Sequence, residues 1–216
     1  LSEQGNSLPF AKWTCYDAGV HSACIVRWPG VIKPGSVSDA LVEYVDIVPT
    51  FVDIAGGKPQ AKVDGESFKP VLTGKKKEHK KYSFSLQTTR GINAGSPYYG
   101  IRSVYDGRYR YIVNLTPEAT FKNVETNSPL FKEWESLAET DAHAKAMTTK
   151  YQHRPAIELY DVKNDPYCMK NLAEDATQTA TISRLDKELK RWMKDCGDEG
   201  QATEMRAFEH MPGKKK

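Results

Sequence analysis

Apolar positions change their spacing along this chain, and each change predicts a different element. Cys24-Ile25-Val26-Arg27-Trp28 is a short apolar, β-branched run closed by Pro29-Gly30, which predicts a buried strand ending in a turn, and Pro34-Gly35 is a second turn. From Asp46 to Ala55, Ile47, Val48, Phe51, Val52 and Ile54 recur at helical spacing and Gly56-Gly57 supplies the stop. Pro49 falls in the first turn of that helix, where its missing N–H costs little. Beyond residue 81 the period drops to two. Tyr82–Gln87, Tyr98–Tyr105 and Arg108–Leu115 carry the aromatic and β-branched residues of strands, and Asp106-Gly107 marks a hairpin between the last two. Pro129–Ala146 predicts an amphipathic helix with Leu130, Phe131, Trp134 and Leu137 as its apolar stripe. Ile157–Val162 reads as a further strand, stopped by Asn164-Asp165-Pro166. Thr179–Met193 is the clearest helix, with Ile182, Leu185, Leu189, Trp192 and Met193 on one face and Gly197 after it.

Polar stretches divide these elements into parts. Residues 58–81 are polar and basic and end in Lys75-Lys76-Lys77-Glu78-His79-Lys80-Lys81. They are expected to form an exposed connector, the charge run being either solvated surface or an anion-binding patch. On that reading residues 1–57 form one part, residues 82–196 a compact antiparallel sheet with its own helix, and residues 197–216 a loose polar tail. A length of 216 residues accommodates one large domain or two small ones. The balance of 31 Lys+Arg against 28 Asp+Glu, a net charge of +3, is too even for a protein built around nucleic acid. No run of about 18 apolar residues is present, so no membrane-spanning helix is expected. Leu1-Ser2-Glu3-Gln4-Gly5 has neither the basic nor the apolar region of a signal peptide.

Cys15, Cys24, Cys168 and Cys196 contain no CxxC pair, which excludes zinc-ribbon and dithiol redox readings. Small buried side chains, or Cys15–Cys24 and Cys168–Cys196 bridges in an oxidising compartment, both fit. Asn114-Leu115-Thr116 matches a glycosylation sequon. There is no GxxxxGK[ST] phosphate loop, HExxH zinc motif or GxSxG nucleophile elbow. Three polar groupings stay open as sites. Glu3-Gln4 offers a carboxylate and an amide oxygen, the hard ligands that Ca²⁺ or Mg²⁺ accepts. Lys12 and His21 could hold an anion. Gln87 and Arg90, between two strands, could line a polar cleft.

Taken together, the blocks have a family likeness. Phe10-Ala11-Lys12-Trp13-Thr14-Cys15-Tyr16-Asp17-Ala18-Gly19-Val20-His21, followed by Ile25-Val26-Arg27-Trp28-Pro29-Gly30, resembles the sulfatase family of the alkaline phosphatase superfamily. There a GK-x-T-x-Y-(E/D)-x-G-x-R-like segment runs into an apolar strand ending in W-P-G. The likeness continues through Val45-Asp46-Ile47-Val48-Pro49-Thr50, Arg108-Tyr109-Arg110-Tyr111-Ile112, Glu158-Leu159-Tyr160-Asp161-Val162 and Asn171-Leu172-Ala173, in the family's order. The resemblance implies an α/β chain, the C-terminal part of a sulfatase-like α/β sandwich with a small antiparallel four-stranded sheet packed by a C-terminal helix. It also implies the C-terminal portion of a formylglycine-dependent sulfatase acting on sulfated carbohydrate, periplasmic or secreted.

By the same resemblance Lys12 is the catalytic and sulfate-contacting lysine. Glu3 and Gln4 stand in the place of Asp and Asn or His metal ligands, and Arg90 and Gln87 reach the sugar. Ca²⁺ (or Mg²⁺) is the implied cofactor, its ligands completed by an N-terminal part that is the implied partner. Three departures stand out. Glu3 and Gln4 are each one methylene longer than the usual ligands, which moves their oxygens out by roughly 1.5 Å. His21 stands where an arginine is common. No C/S-x-P-x-R nucleophile motif occurs in the sequence, Ser7-Leu8-Pro9-Phe10-Ala11 being nearest, so this chain alone is expected to hydrolyse nothing. Two other readings fit the residues: a non-catalytic sulfate- or carbohydrate-binding module using Lys12 and the 75–81 lysines, and a phosphoester or phosphonate hydrolase of the same superfamily.

Overall fold

A computed structural model of the chain describes residues 1–3, 5–58, 62–89 and 94–210. These fall into two compact units, residues 1–23 together with the chain from 84 onward, and residues 24–83. The helices are α1 (Asp17–Val20), α2 (Ile47–Ile54), α3 (Lys69–Leu72), α4 (Pro129–Leu137), α5 (Ala142–Gln152), α6 (Thr179–Asp195) and α7 (Gln201–Met205). The strands are β1 (Ser83–Gln87), β2 (Ile101–Tyr105), β3 (Tyr109–Asn114) and β4 (Ile157–Asp161), which form one sheet in the order β1-β2-β3-β4.

The period-two reading holds at the level of register. β2 and β3 pair antiparallel with Ser103 opposite Ile112, and β3 and β4 with Ile112 opposite Glu158. Their hairpin turns at Gly107, whose φ of 93° suits a residue without Cβ. The Asp106 carboxylate accepts from the amides of Arg108 (2.9 Å) and Tyr109 (2.6 Å) and closes the turn. Alternation then gives the sheet two faces. Ile101, Ser103, Arg110, Ile112, Asn114, Glu158 and Tyr160 share one, and Arg102, Val104, Tyr111 and Leu159 share the other.

Helix α6 packs on β2 and β3, with Leu185 and Leu189 buried as its spacing predicts. Phe84 stacks on Trp192 at 5.0 Å with the rings 2° from parallel, and Tyr111 donates to Asp186 at 3.2 Å. The opposite side carries the main aromatic core, in which Tyr16, Tyr99, Ile101, Ile112, Phe121, Phe131, Tyr151 and Tyr160 pack together.

Several expectations are corrected. Residues 24–28 form no strand, and Ile25 is 86 % exposed; a strand needs a neighbour's backbone, and among the described residues none pairs with this run. The long helix at 129–146 is two helices. Ser128 caps α4 by accepting from Phe131 (3.2 Å), and Asp141 starts α5 by accepting from Ala144 (2.7 Å). With the break after Leu137, that residue and Leu130 are exposed, and α5 turns Ala144, Thr148 and Tyr151 inward instead.

The segment 198–205 is not a loose tail. Arg102, on a covered sheet face, pairs with Asp198 and, at 2.8 Å, with Glu204, which also accepts from the Thr89 amide at 2.9 Å. A buried guanidinium requires such partners, and they fix the segment. The basic run is likewise not all solvated. Lys80 reaches the fully buried Asp46 at 2.8 Å and Glu43 at 2.6 Å, and His79 Nε2 lies 3.3 Å from Asp46. The sequon asparagine, Asn114, is 2 % exposed and donates to Glu158 and to the Pro155 carbonyl, leaving no nitrogen for a glycan. None of the four cysteines forms a disulfide.

Candidate functional site

The predicted site residues that the structure describes at the N-terminus converge on a compact knot of turns at residues 5–21, which runs into α1. The knot is closed by its own backbone: the Ala11 amide donates to Leu8 (3.2 Å) and the Lys12 amide to Asn6 (3.1 Å). The Thr14 hydroxyl donates to the Ala11 carbonyl at 2.6 Å. Gly19 lies so close beneath that a Cβ there would sit 2.4 Å from the Ala11 carbonyl oxygen. Phe10 and Trp13 both adopt the left-handed region, with φ of 64° and 63°. Each such non-glycine residue costs about 1–2 kcal/mol and persists only where its surroundings hold it.

The surroundings are the sheet. Tyr16 donates to Glu158 Oε2 at 2.9 Å, Tyr160 donates to the same oxygen at 2.5 Å, and Asn114 donates to Oε1 at 2.8 Å, so one buried carboxylate collects three donors. Arg110 donates to Asp17 Oδ1 at 2.7 Å, and His21 Nδ1 lies 3.2 Å from Asp17 Oδ2. Phe10 packs on Tyr151 with centroids 4.9 Å apart, and Arg154 lays its guanidinium 3.7 Å from the Phe121 centroid. Burial raises the Tyr16 phenol well above its ordinary value; the Arg154 charge opposes this and Glu158 adds to it. The Cys15 thiol is pushed up to about 12, chiefly by burial.

On top of the knot, Lys12 Nζ pairs with Glu3 Oε1 at 2.9 Å and lies 5.4 Å from the centroid of the Trp13 ring. The Lys12 side chain is 22 % exposed and that of Glu3 72 %. The structure thus brings two predicted residues, Lys12 and Glu3, into contact. Gln4 and Arg90 lie outside the described residues. Gln87 ends β1, with its carbonyl accepting from Arg102 at 3.0 Å, and makes no hydrogen bond to the Lys12–Glu3 pair.

Whether these residues fit a cation follows from the donors. Glu3 is a suitable hard-oxygen ligand, but one of its oxygens is engaged by the Lys12 ammonium. Among the described residues no three His, Cys, Asp or Glu side chains gather as a metal site. The described donors therefore do not by themselves make a coordination sphere.

Sequence reasoning did not assign a role to Trp13, Asp17, Arg110 or Glu158. The available signal was the charged residues at inward strand positions, Arg110 and Glu158, which must find partners.

The family model for the C-terminal region of N-sulphoglucosamine sulphohydrolase matches residues 5–124. An ulvan-active sulfatase of Formosa agariphila is 36 % identical over 187 residues, covering 87 % of this chain and 36 % of the relative. An N-acetylglucosamine-6-O-sulfatase of Bacteroides thetaiotaomicron is 41 % identical over 63 residues, 29 % of this chain and 11 % of the relative. The solved structure of BT4656, in complex with its substrate D-glucosamine-2-N,6-O-disulfate, superposes with a TM-score of 0.55 at 21 % identity, covering 82 % of this chain and 29 % of that one. The chain spans about a third of the length of the curated relatives it matches over most of its own length. It belongs to the sulfatase family, as a C-terminal domain of the N-sulphoglucosamine sulphohydrolase type.

Proposed function

We propose that this chain is the C-terminal part of a sulfuric ester hydrolase that removes sulfate from a sulfated carbohydrate, and that Lys12 binds the sulfate. The observation that carries the reading is the partly exposed Lys12 ammonium on a loop fixed by two left-handed residues and two buried polar anchors. A cation held in place before substrate arrives stabilises negative charge on sulfate oxygens without reorganising. The relatives named as ulvan-active and N-acetylglucosamine-6-O-sulfatases support a sulfated sugar as substrate. Gln87 and Arg90 would contact that sugar at the rim.

The nucleophile, a formylglycine by family resemblance, comes from a part of the protein outside this sequence. Glu3 and Gln4 would add ligands to a Ca²⁺ or Mg²⁺ ion whose other ligands come from that same part. The exposed apolar residues Ile25, Val48 and Phe51 (86, 60 and 66 % exposed) supply surface for it to cover. Export to the periplasm or the exterior follows from the family reading.

The test is Lys12→Ala in the full-length protein. A fall in kcat/KM of about 10²-fold on a sulfate ester is expected, with partial recovery in Lys12→Arg. Unchanged turnover in Lys12→Ala would remove the assignment. Parallel assays on aryl sulfate and aryl phosphate are expected to favour the sulfate.

A further inference from the structure

The neighbour of Lys12 has no role in the chemistry so far, yet its backbone is the more unusual of the two. Side chains adjacent in sequence ordinarily splay apart. Here the φ of 63° at Trp13 accompanies a turn that places the indole within 5.4 Å of the Lys12 ammonium, inside the range of a cation–π contact. Trp13 is also partly packed against the aromatic core, so its ring has a fixed seat. Lys12 therefore has two neighbours of opposite character. Glu3 is exposed to solvent, whereas Trp13 is held by its packing.

We infer that Trp13 is a positioning residue that keeps the Lys12 ammonium at the anion site when a sulfate oxygen displaces the Glu3 carboxylate. The inference rests on the sulfate-binding reading of Lys12. An ammonium carries three N–H donors. Glu3 takes one of them, while an indole face attracts the charge without demanding a directed hydrogen bond. The ring thus anchors the lysine and leaves its donors for the ligand. A carboxylate in that place would hold the lysine by competing with the sulfate.

The experiment uses the full-length protein and inorganic sulfate as competitor against a sulfate-ester substrate. Trp13→Leu keeps bulk but loses the aromatic face, and Trp13→Phe keeps a face. The inhibition constant for sulfate is expected to rise about 2- to 30-fold in Trp13→Leu and to return most of the way in Trp13→Phe. Indole emission of the unmodified protein is expected to change on sulfate addition, and that change is expected to be absent in Trp13→Phe. Equal inhibition constants in Trp13→Leu and the unmodified protein would overturn the role. So would Leu and Phe variants that lose affinity alike, since packing alone would then explain the ring. If Trp13→Leu fails to fold, the emission titration decides, and sulfate inhibition without an emission change from Trp13 counts against the inference. A Lys12→Ala variant that still binds sulfate normally would instead sink the sulfate reading itself, so the two failures are distinguishable.

Discussion

Glu158 concentrates the energetics of the knot in one carboxylate, 1 % exposed and receiving hydrogen bonds from Tyr16, Tyr160 and Asn114. Hydrogen bonds to charged groups contribute about 1.5–3 kcal/mol each, and a buried acceptor that loses one is not rehydrated. Tyr16→Phe is therefore expected to lower stability by about 2 kcal/mol in urea denaturation, with the midpoint moving and the slope unchanged. Asp46 sets a pH dependence in the other unit. Burial alone would push its carboxyl up, but hydrogen bonds from Lys80 and from the Glu43 and Glu66 amides outweigh this and hold it below the ordinary 3.8. A carboxyl depressed by folding contributes stability above its unfolded value, and that contribution disappears as pH falls through the folded value. The unit is expected to keep this stability at neutral pH and to lose it below about pH 4. Asp46→Asn is expected to cost about 3 kcal/mol at pH 7 and to flatten that acid limb, read from denaturation curves across pH. Lys12 and Glu3 were legible as candidates because they lie in one short segment. The pairs that anchor them were not, since Asp17 and Arg110 are 93 positions apart and Tyr16 and Glu158 142.

At the scale of elements, Arg102 ties β2 to the segment containing α7 through Asp198 and Glu204. Ending the chain at Gly197 would leave a guanidinium that is 2 % exposed without its carboxylates. Breaking a buried ion pair from one side costs about 3–5 kcal/mol, so a fall in thermal midpoint of about 10 °C is expected by calorimetry. The hairpin and α6 could be read from sequence because their signals are local: Asp106-Gly107, strict alternation, and apolar residues at 182, 185, 189, 192 and 193. Three elements depended on something non-local. Residues 24–28 have strand composition without a strand partner, which composition cannot reveal. The break between α4 and α5 turns on whether Asp141 points outward or caps, a choice decided by how Tyr151 reaches the core. The segment 198–205 reads as tail until Arg102 is placed on a covered sheet face.

At the scale of the molecule, the proposed function divides the labour: this domain would present Lys12 to the anion, and the nucleophile would come from another part of the protein. The two units meet different fates under this division of labour: one carries Lys12 and its anchors, the other carries the exposed apolar face of α2. The cysteines are divided in the same way. Burial raises the Cys15 thiol to about 12 and the Cys168 thiol to about 11, so neither offers thiolate at neutral pH, whereas Cys24 and Cys196 are exposed. Native alkylation is expected to add two groups by mass spectrometry, and alkylation after unfolding four. Cys24 belongs to the unit of residues 24–83 and Cys196 to the other. The unmodified sequence thus carries one exposed thiol on each unit, so a thiol-directed dye would report on the two units separately.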